Sequence, residues 1–164
     1  MNAAVHALCA ELATALLERG WKLATAESCT GGLIAASCTD LAGSSAWFER
    51  GFVTYSNEAK SELLHVDPAA IASHGAVSEV VARAMAFGAL RHSHAQVGIA
   101  VTGVAGSTGG SAEKPVGTVW FGFSVAGRLS SELVRFDGDR SAIREATVRH
   151  GLKRLLALVR AEPH

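Results

Sequence analysis

Apolar side chains recur near the start of the chain at Val5, Leu8, Leu12, Leu16 and Leu17, the alternating three-and-four spacing of one helix face. This spacing predicts an amphipathic helix from Asn2 to Arg19, ended by Gly20 where helices commonly close on a left-handed residue. Trp21 to Ala26 reads as a short strand that runs into Glu27-Ser28-Cys29-Thr30-Gly31-Gly32, and Leu33 to Cys38 reads as the start of a small-residue helix. A strand-to-helix turn therefore falls on Ser28.

Aromatic and β-branched residues crowd Ala46 to Tyr55, which predicts a second strand, and Ser56-Asn57 offers a cap for a helix over Glu58 to Leu64. Asp67-Pro68 opens a short helix, Ser78 caps another that runs to about His92, and Gln96 to Thr102 is an apolar strand. A long irregular stretch follows between Gly103 and Gly117, punctuated by Gly106, Gly109 and Gly110; such loops in compact domains commonly carry function. Val116 to Val125 and Arg128 to Phe136 read as strands joined at Ala126-Gly127 in a hairpin. The last helix spans about Asp139 to Ala161, with Ile143, Leu152, Leu155, Leu156 and Val159 as its apolar face. Helices alternate with strands while the last strand pair is a hairpin, so the expected fold is α/β, a three-layer α/β/α sandwich around a mixed, mostly parallel sheet. With 164 residues the chain suits one domain over 1–164 with one core region.

Composition narrows the possible partners. Fifteen basic residues balance fifteen acidic ones, so no global positive field exists to gather nucleic acid or an anionic membrane. Arg140, Arg144, Arg149, Lys153, Arg154 and Arg160 gather toward the end of the chain, where, Arg140 excepted, they read as the solvated face of the last helix. No apolar run approaches the roughly 18 residues of a membrane span. The three cysteines, Cys9, Cys29 and Cys38, form no CxxC pair, and nothing resembling a signal peptide precedes the first helix, which together point to a reducing cytoplasm.

Ser28 carries the most informative position. It falls at the carboxyl end of an inner strand, where open α/β sheets place ligands, and the amides of Thr30, Gly31 and Gly32 at the helix start could form an oxyanion hole. A serine there also serves as an ordinary N-cap, and Ala26 and Thr30 replace the glycines of a G-x-S-x-G elbow. No histidine is evidently placed as its base. Lys60 is the better candidate, because a lysine near the start of a helix and under burial loses pKa. Tyr55 could relay a proton, although a solvated lysine and a strand-end tyrosine are common. Cys29 is an alternative nucleophile without an evident activator. The glycine-rich stretch either cradles phosphate with successive amides or supplies backbone freedom. It contains neither a Walker motif nor an intact G-x-G-x-x-G, and His92-Ser93-His94 lacks a third ligand, so no metal and no cofactor are assigned.

Four runs become specific together: TAESCTGGLIAASCTD from Thr25, GSSAWFERGFVTYSNEAKSELL from Gly43, GAVSEVVARAMAFGAL from Gly75, and AVTGVAGSTGGSAEKPVGTVWFGF from Ala100. They closely resemble the CinA C-terminal domain family. The resemblance implies a hydrolase that converts nicotinamide mononucleotide to nicotinate mononucleotide and ammonia in pyridine nucleotide recycling, with its serine, tyrosine and lysine on Ser28, Tyr55 and Lys60. It also implies a small-molecule substrate, held around Thr30, Gly31, Gly32, Ser44, Ser45, Thr102, Gly103 and Arg140, and no nucleic-acid or membrane partner. Family habit, with the apolar Trp47-Phe48 pair, suggests a homodimer. Proline is frequent in the family at the positions of Ser107 and Ala112, and glycine at that of His65. Family names refer to competence and DNA damage, so a non-catalytic nucleotide-sensing module is one rival reading, and an amidase for another small amide is the second.

Overall fold

The structure is a computed structural model that describes residues 2–164. Helix α1 (Ala3–Arg19) leads to β1 (Leu23–Glu27), α2 (Leu33–Thr39), a 3₁₀ turn (Ser44–Ala46), β2 (Phe48–Val53), α3 (Asn57–Leu64), α4 (Pro68–His74), α5 (Glu79–Arg91), β3 (Val97–Gly103), β4 (Thr118–Val125), β5 (Arg128–Arg135) and α6 (Arg140–Ala161). The strands form one five-stranded sheet in the order β2-β1-β3-β4-β5. Pairings β1/β2 and β1/β3 are parallel, while β3/β4 and β4/β5 are antiparallel, so β4 alone runs against the others. The sheet is thus mixed with a parallel bias, and helices cover both faces, as the alternating pattern predicts.

Alternation along the strands divides the interior in two. Leu23, Val97, Ile99, Val101, Val119, Phe121 and Phe123 point into one layer with Val5, Leu12 and Leu16 of α1 and Ile143, Leu152 and Leu155 of α6. Ala24, Ala26 and Ala100 point the other way, against Val81, Met85 and Ala86 of α5 and Leu64 and Val66. The small side chains on this second face let α5 approach closely. At Gly122 an added Cβ would lie 2.2 Å from the Ala82 carbonyl oxygen, so this strand position accepts glycine alone.

Local signals in the sequence set most boundaries. Asn2, Ser56, Asp67, Ser78 and Asp139 each cap a helix with a side-chain oxygen, as their residue types favour. Ala126 and Gly127 both take positive φ in the hairpin turn. Two readings change. The aromatic run of Ala46 to Tyr55 is strand only over Phe48–Val53, because Ser44–Ala46 coils into a 3₁₀ turn behind Gly43. Trp47 is 1% exposed and packs in the core with the half-buried Phe48 against it, so Trp47 offers no apolar surface to a second copy. Among the described residues, no helix is long and apolar enough to cross a membrane.

Candidate active site

The carboxyl ends of β1 and β3 fix the position of Ser28. Its amide donates to the Val101 carbonyl at 3.1 Å, and its own carbonyl accepts from the Gly31 amide at 3.0 Å, closing a tight turn. Gly31 sits at φ 59° and Gly32 at φ 108°, conformations that glycine adopts without the Cβ penalty. The turn therefore lifts Ser28 out of β1 and starts α2 at Leu33, which is the strand-to-helix turn read from the sequence.

Lys60 reaches Ser28 from the other side. Its Nζ lies 2.9 Å from Ser28 Oγ and donates to the carbonyls of Thr54 at 2.8 Å and Tyr55 at 3.1 Å. The side chain is 1% exposed, and burial holds its pKa below the ordinary lysine value. Sequence reasoning assigned part of this effect to the helix dipole; in the structure desolvation dominates. A neutral amine in this position keeps two N–H bonds to the carbonyls and turns its lone pair to the serine hydroxyl.

Tyr55 shares the cleft but not that contact. Its ring is 60% exposed, and its hydroxyl accepts from Arg140 Nη2 at 3.2 Å. Arg140, the first residue of α6, also donates to the Gly106 carbonyl at 2.5 Å, which ties the glycine-rich loop to the helix start. Ser28, Tyr55, Lys60, Thr102, Gly103 and Arg140 line one cleft of about 320 Å³, joined by Cys29, Asn57 and the loop from Val104 to Gly109. Thr102 is anchored through its hydroxyl to the Ala76 carbonyl at 2.9 Å. Along the loop, the amides of Ala105, Gly106 and Thr108 donate to no backbone acceptor among the described residues, and Arg140 borders the same cleft.

Other positions lie elsewhere. Ser44 and Ser45 precede β2, whose amino end pairs with Leu23 and whose carboxyl end pairs with Glu27; they stand at the opposite sheet edge from Ser28, roughly 15 Å away at the rise of a strand. Thr30 is fully buried behind Ser28, with its hydroxyl on Glu27 at 2.5 Å. The Gly31 amide is spent on Ser28 and Gly32 stands outside the cleft wall, so an oxyanion hole built on the Gly31 amide is not what the turn presents. The amide of Cys29 is the better donor: it adjoins the nucleophile, belongs to a residue that lines the cleft, and meets no backbone acceptor among the described residues. Burial pushes the Cys29 thiol up to about 12, which keeps it protonated and argues against it as the nucleophile.

Two residues escaped sequence reasoning. Glu27, fully buried, accepts from Thr30 and from the amides of Ile34 at 2.8 Å and Ala35 at 3.0 Å, so it caps α2 from within the preceding strand. A carboxylate one residue before the serine and seven before a helical amide was the available signal. Arg144, read as part of a solvated face, instead turns inward: Nε donates to the Cys29 carbonyl at 3.2 Å and Nη2 to the Thr30 carbonyl at 3.1 Å. Arg154 instead lies beside Glu132, and Arg160 beside Glu11.

Fold and site together define an α/β/α domain that pairs a serine with a buried lysine at a ligand cleft on the carboxyl edge of its sheet. The chain belongs to the CinA C-terminal domain family, whose model matches residues 5–159. It is 56% identical over 141 residues to a nicotinamide-nucleotide amidohydrolase PncC of Enterobacter agglomerans, covering 85% of this chain and 86% of the relative. The protein of the same name from Escherichia coli (strain K12) is 51% identical, with 88% of each chain covered. Among solved structures, the competence/damage inducible protein CihA from Agrobacterium tumefaciens superposes with a TM-score of 0.93 at 46% identity, over 96% of this chain and 97% of that one.

Proposed function

We propose that this protein is a nicotinamide-nucleotide amidohydrolase that hydrolyses the carboxamide of nicotinamide mononucleotide to nicotinate mononucleotide and ammonia. The observation that carries this reading is the 2.9 Å contact between Ser28 Oγ and a buried, two-carbonyl-held Lys60 Nζ, in a chain whose relatives bear that enzyme's name over most of their length. Lys60 takes the proton of Ser28 as Oγ bonds to the carboxamide carbon, and the carbonyl electrons move onto oxygen, facing the Cys29 amide. As the carbon–nitrogen bond breaks, the Lys60 ammonium returns the proton to nitrogen and ammonia leaves. Water then gives a proton to Lys60, attacks the acyl ester, and releases the carboxylate as Ser28 recovers its proton.

Arg140, Tyr55 and the free amides from Ala105 to Thr108 suit the phosphate of a pyridine mononucleotide, which is largely dianionic near neutral pH. Tyr55 acts from the cleft mouth in this reading, and Lys60 reaches Ser28 without it. Thr102 and Gly103 shape the floor. We further propose one domain over 1–164, since both helical layers share a single sheet; a cytoplasmic setting, which the free Cys9, Cys29 and Cys38 suit; a small-molecule substrate rather than nucleic acid, given the balanced charge; and a homodimer, on family habit. Ser44 and Ser45 would meet substrate only from outside this cleft.

The test is ammonia release from nicotinamide mononucleotide by wild type and Ser28→Ala in excess EDTA, with nicotinamide riboside as the phosphate-free control. Activity that is lost in Ser28→Ala and weak on the riboside supports the reading. A folded wild type that releases no ammonia overturns it in favour of another amide or a sensing role.

A further inference from the structure

We infer that Arg144 is a positioning residue for the nucleophile, gripping the Ser28 turn from behind so that the Cys29 amide faces the reacting carbonyl. The inference rests on the serine hydrolase reading above. Three successive carbonyls after Glu27 are committed: Ser28 to the Gly31 amide at 3.0 Å, Cys29 to Arg144 Nε at 3.2 Å, and Thr30 to Arg144 Nη2 at 3.1 Å. In a trans peptide the N–H points opposite to the carbonyl before it. Fixing the Ser28 carbonyl therefore fixes the Cys29 N–H, and fixing the next two carbonyls stops the turn from rotating about its peptide planes. One guanidinium spans two adjacent carbonyls because its donors diverge from a rigid plane; an ammonium on a flexible stem cannot reproduce that grip.

The charge of Arg144 has no carboxylate partner within ion-pair distance among the described residues. Its side chain is half-buried, and the groups facing it are the Cys29 and Thr30 carbonyls and Gly31, whose added Cβ would lie 3.5 Å from Nη2. A guanidinium left with backbone carbonyls in place of a carboxylate contributes little as an ion pair. It does hold a loop whose amide must be in place before negative charge develops on the substrate.

The experiment uses a fluorophosphonate probe, which reports the nucleophile without assuming an amide substrate. Ser28 Oγ forms a bond to phosphorus, the phosphorus–fluorine bond breaks, fluoride leaves with its electron pair, and the serine proton passes to Lys60; the phosphoryl oxygen then occupies the oxyanion position. Labelling rates are measured against pH for wild type, Arg144→Met and Arg144→Lys, with thermal unfolding alongside. Arg144→Met is expected to lower the plateau rate about 100-fold, the loss that a misplacement of ~1 Å typically brings, while the pH midpoint set by Lys60 stays in place. Arg144→Lys should recover only part of the rate.

A wild-type plateau in folded Arg144→Met overturns the inference, as does full recovery by lysine, which would assign the effect to charge alone. If the methionine variant does not fold, Arg144→Lys decides by the same two readouts. Wild type that carries no label on Ser28 instead overturns the serine reading itself, so the two failures are distinguishable.

Discussion

Glu27→Gln tests whether a buried carboxylate in β1 is the true cap of α2. The carboxylate is fully buried, and its oxygens accept from Thr30 Oγ1 and the amides of Ile34 and Ala35. Glutamine keeps one oxygen for Thr30 and Ile34 but sets its own N–H donors against the Ala35 amide. One helix amide then loses its acceptor inside the protein, at about 1–3 kcal/mol, and the Thr30 and Ile34 bonds lose the extra strength of a charged acceptor. The expected destabilisation is about 3 kcal/mol, which lowers the melting temperature of a domain this size by roughly 6–12 °C. Thr30→Val removes a single donor to that carboxylate and should cost about 1.5–3 kcal/mol. Thermal and urea unfolding followed by circular dichroism measures both. A Glu27→Gln variant that melts within about 2 °C of wild type would refute the reasoning, because it would mean that neither the amides of α2 nor Thr30 depend on the charge.

The remaining expectations concern the dyad and its surroundings. Lys60→Met should reduce ammonia release about 10³-fold, the usual scale for a lost general base, and in wild type kcat/KM should rise with pH through the lowered Lys60 pKa and then level, since the neutral amine is the active form; a rate that falls across that range would exclude Lys60 as the base. The same shift has a stability sign: burial favours neutral Lys60 in the folded state, so the unfolded chain binds more protons between the folded value and the ordinary 10.5, and stability should climb with pH in that window. Lys60→Met should show no such climb in urea titrations. Arg140→Ala should raise KM for nicotinamide mononucleotide about 10- to 100-fold, the loss of one or two charged hydrogen bonds, with a smaller change on the riboside; equal effects on both substrates would separate Arg140 from the phosphate. His65→Gly should raise the melting temperature by roughly 2–4 °C, worth about 1 kcal/mol, because His65 closes α3 at φ 58°; a lower value would show that its tilted ring contact with His92 at 4.2 Å matters more.

Local signals carried most of the fold. Periodicity and caps placed α1, α3, α5 and α6, and Ala126-Gly127 placed the hairpin, because these features depend on neighbours in sequence. The His65 position shows the same logic from the other side: the glycine usual in the family marks a left-handed residue, and the structure has one there. What stayed hidden depends on contacts across the chain. Ala46 and Trp47 read as the start of a strand but lie outside it, since Ala46 ends a 3₁₀ turn and Trp47 is buried in the core ahead of β2. Arg144 and Arg154 are indistinguishable in a helical pattern; only the packing of α6 separates a residue that grips the backbone carbonyls of the Ser28 turn from one that lies beside Glu132. Ser28 and Lys60 were legible as candidates from position, but their contact joins residues from separate elements, and no spacing rule contains it.

That contact also explains how a lysine can serve where histidine is the commoner base. Thr54 and Tyr55 present carbonyls to Nζ at 2.8 and 3.1 Å, and these accept two N–H bonds whether the amine is neutral or charged. Only the third position, toward Ser28, changes between lone pair and N–H when the proton moves, so transfer needs no rotation of the side chain. The carbonyls alone would favour the ammonium, since hydrogen bonds to a charged donor are stronger. Burial acts against them, and the nearest ionisable neighbour, Cys29, is held as a neutral thiol by its own pKa of about 12, so it supplies no anion to tip the balance back. The base strength of Lys60 is therefore set chiefly by desolvation, working against backbone carbonyls that favour the ammonium. Opening the site to water should raise its pKa and move the rising limb of the pH profile upward.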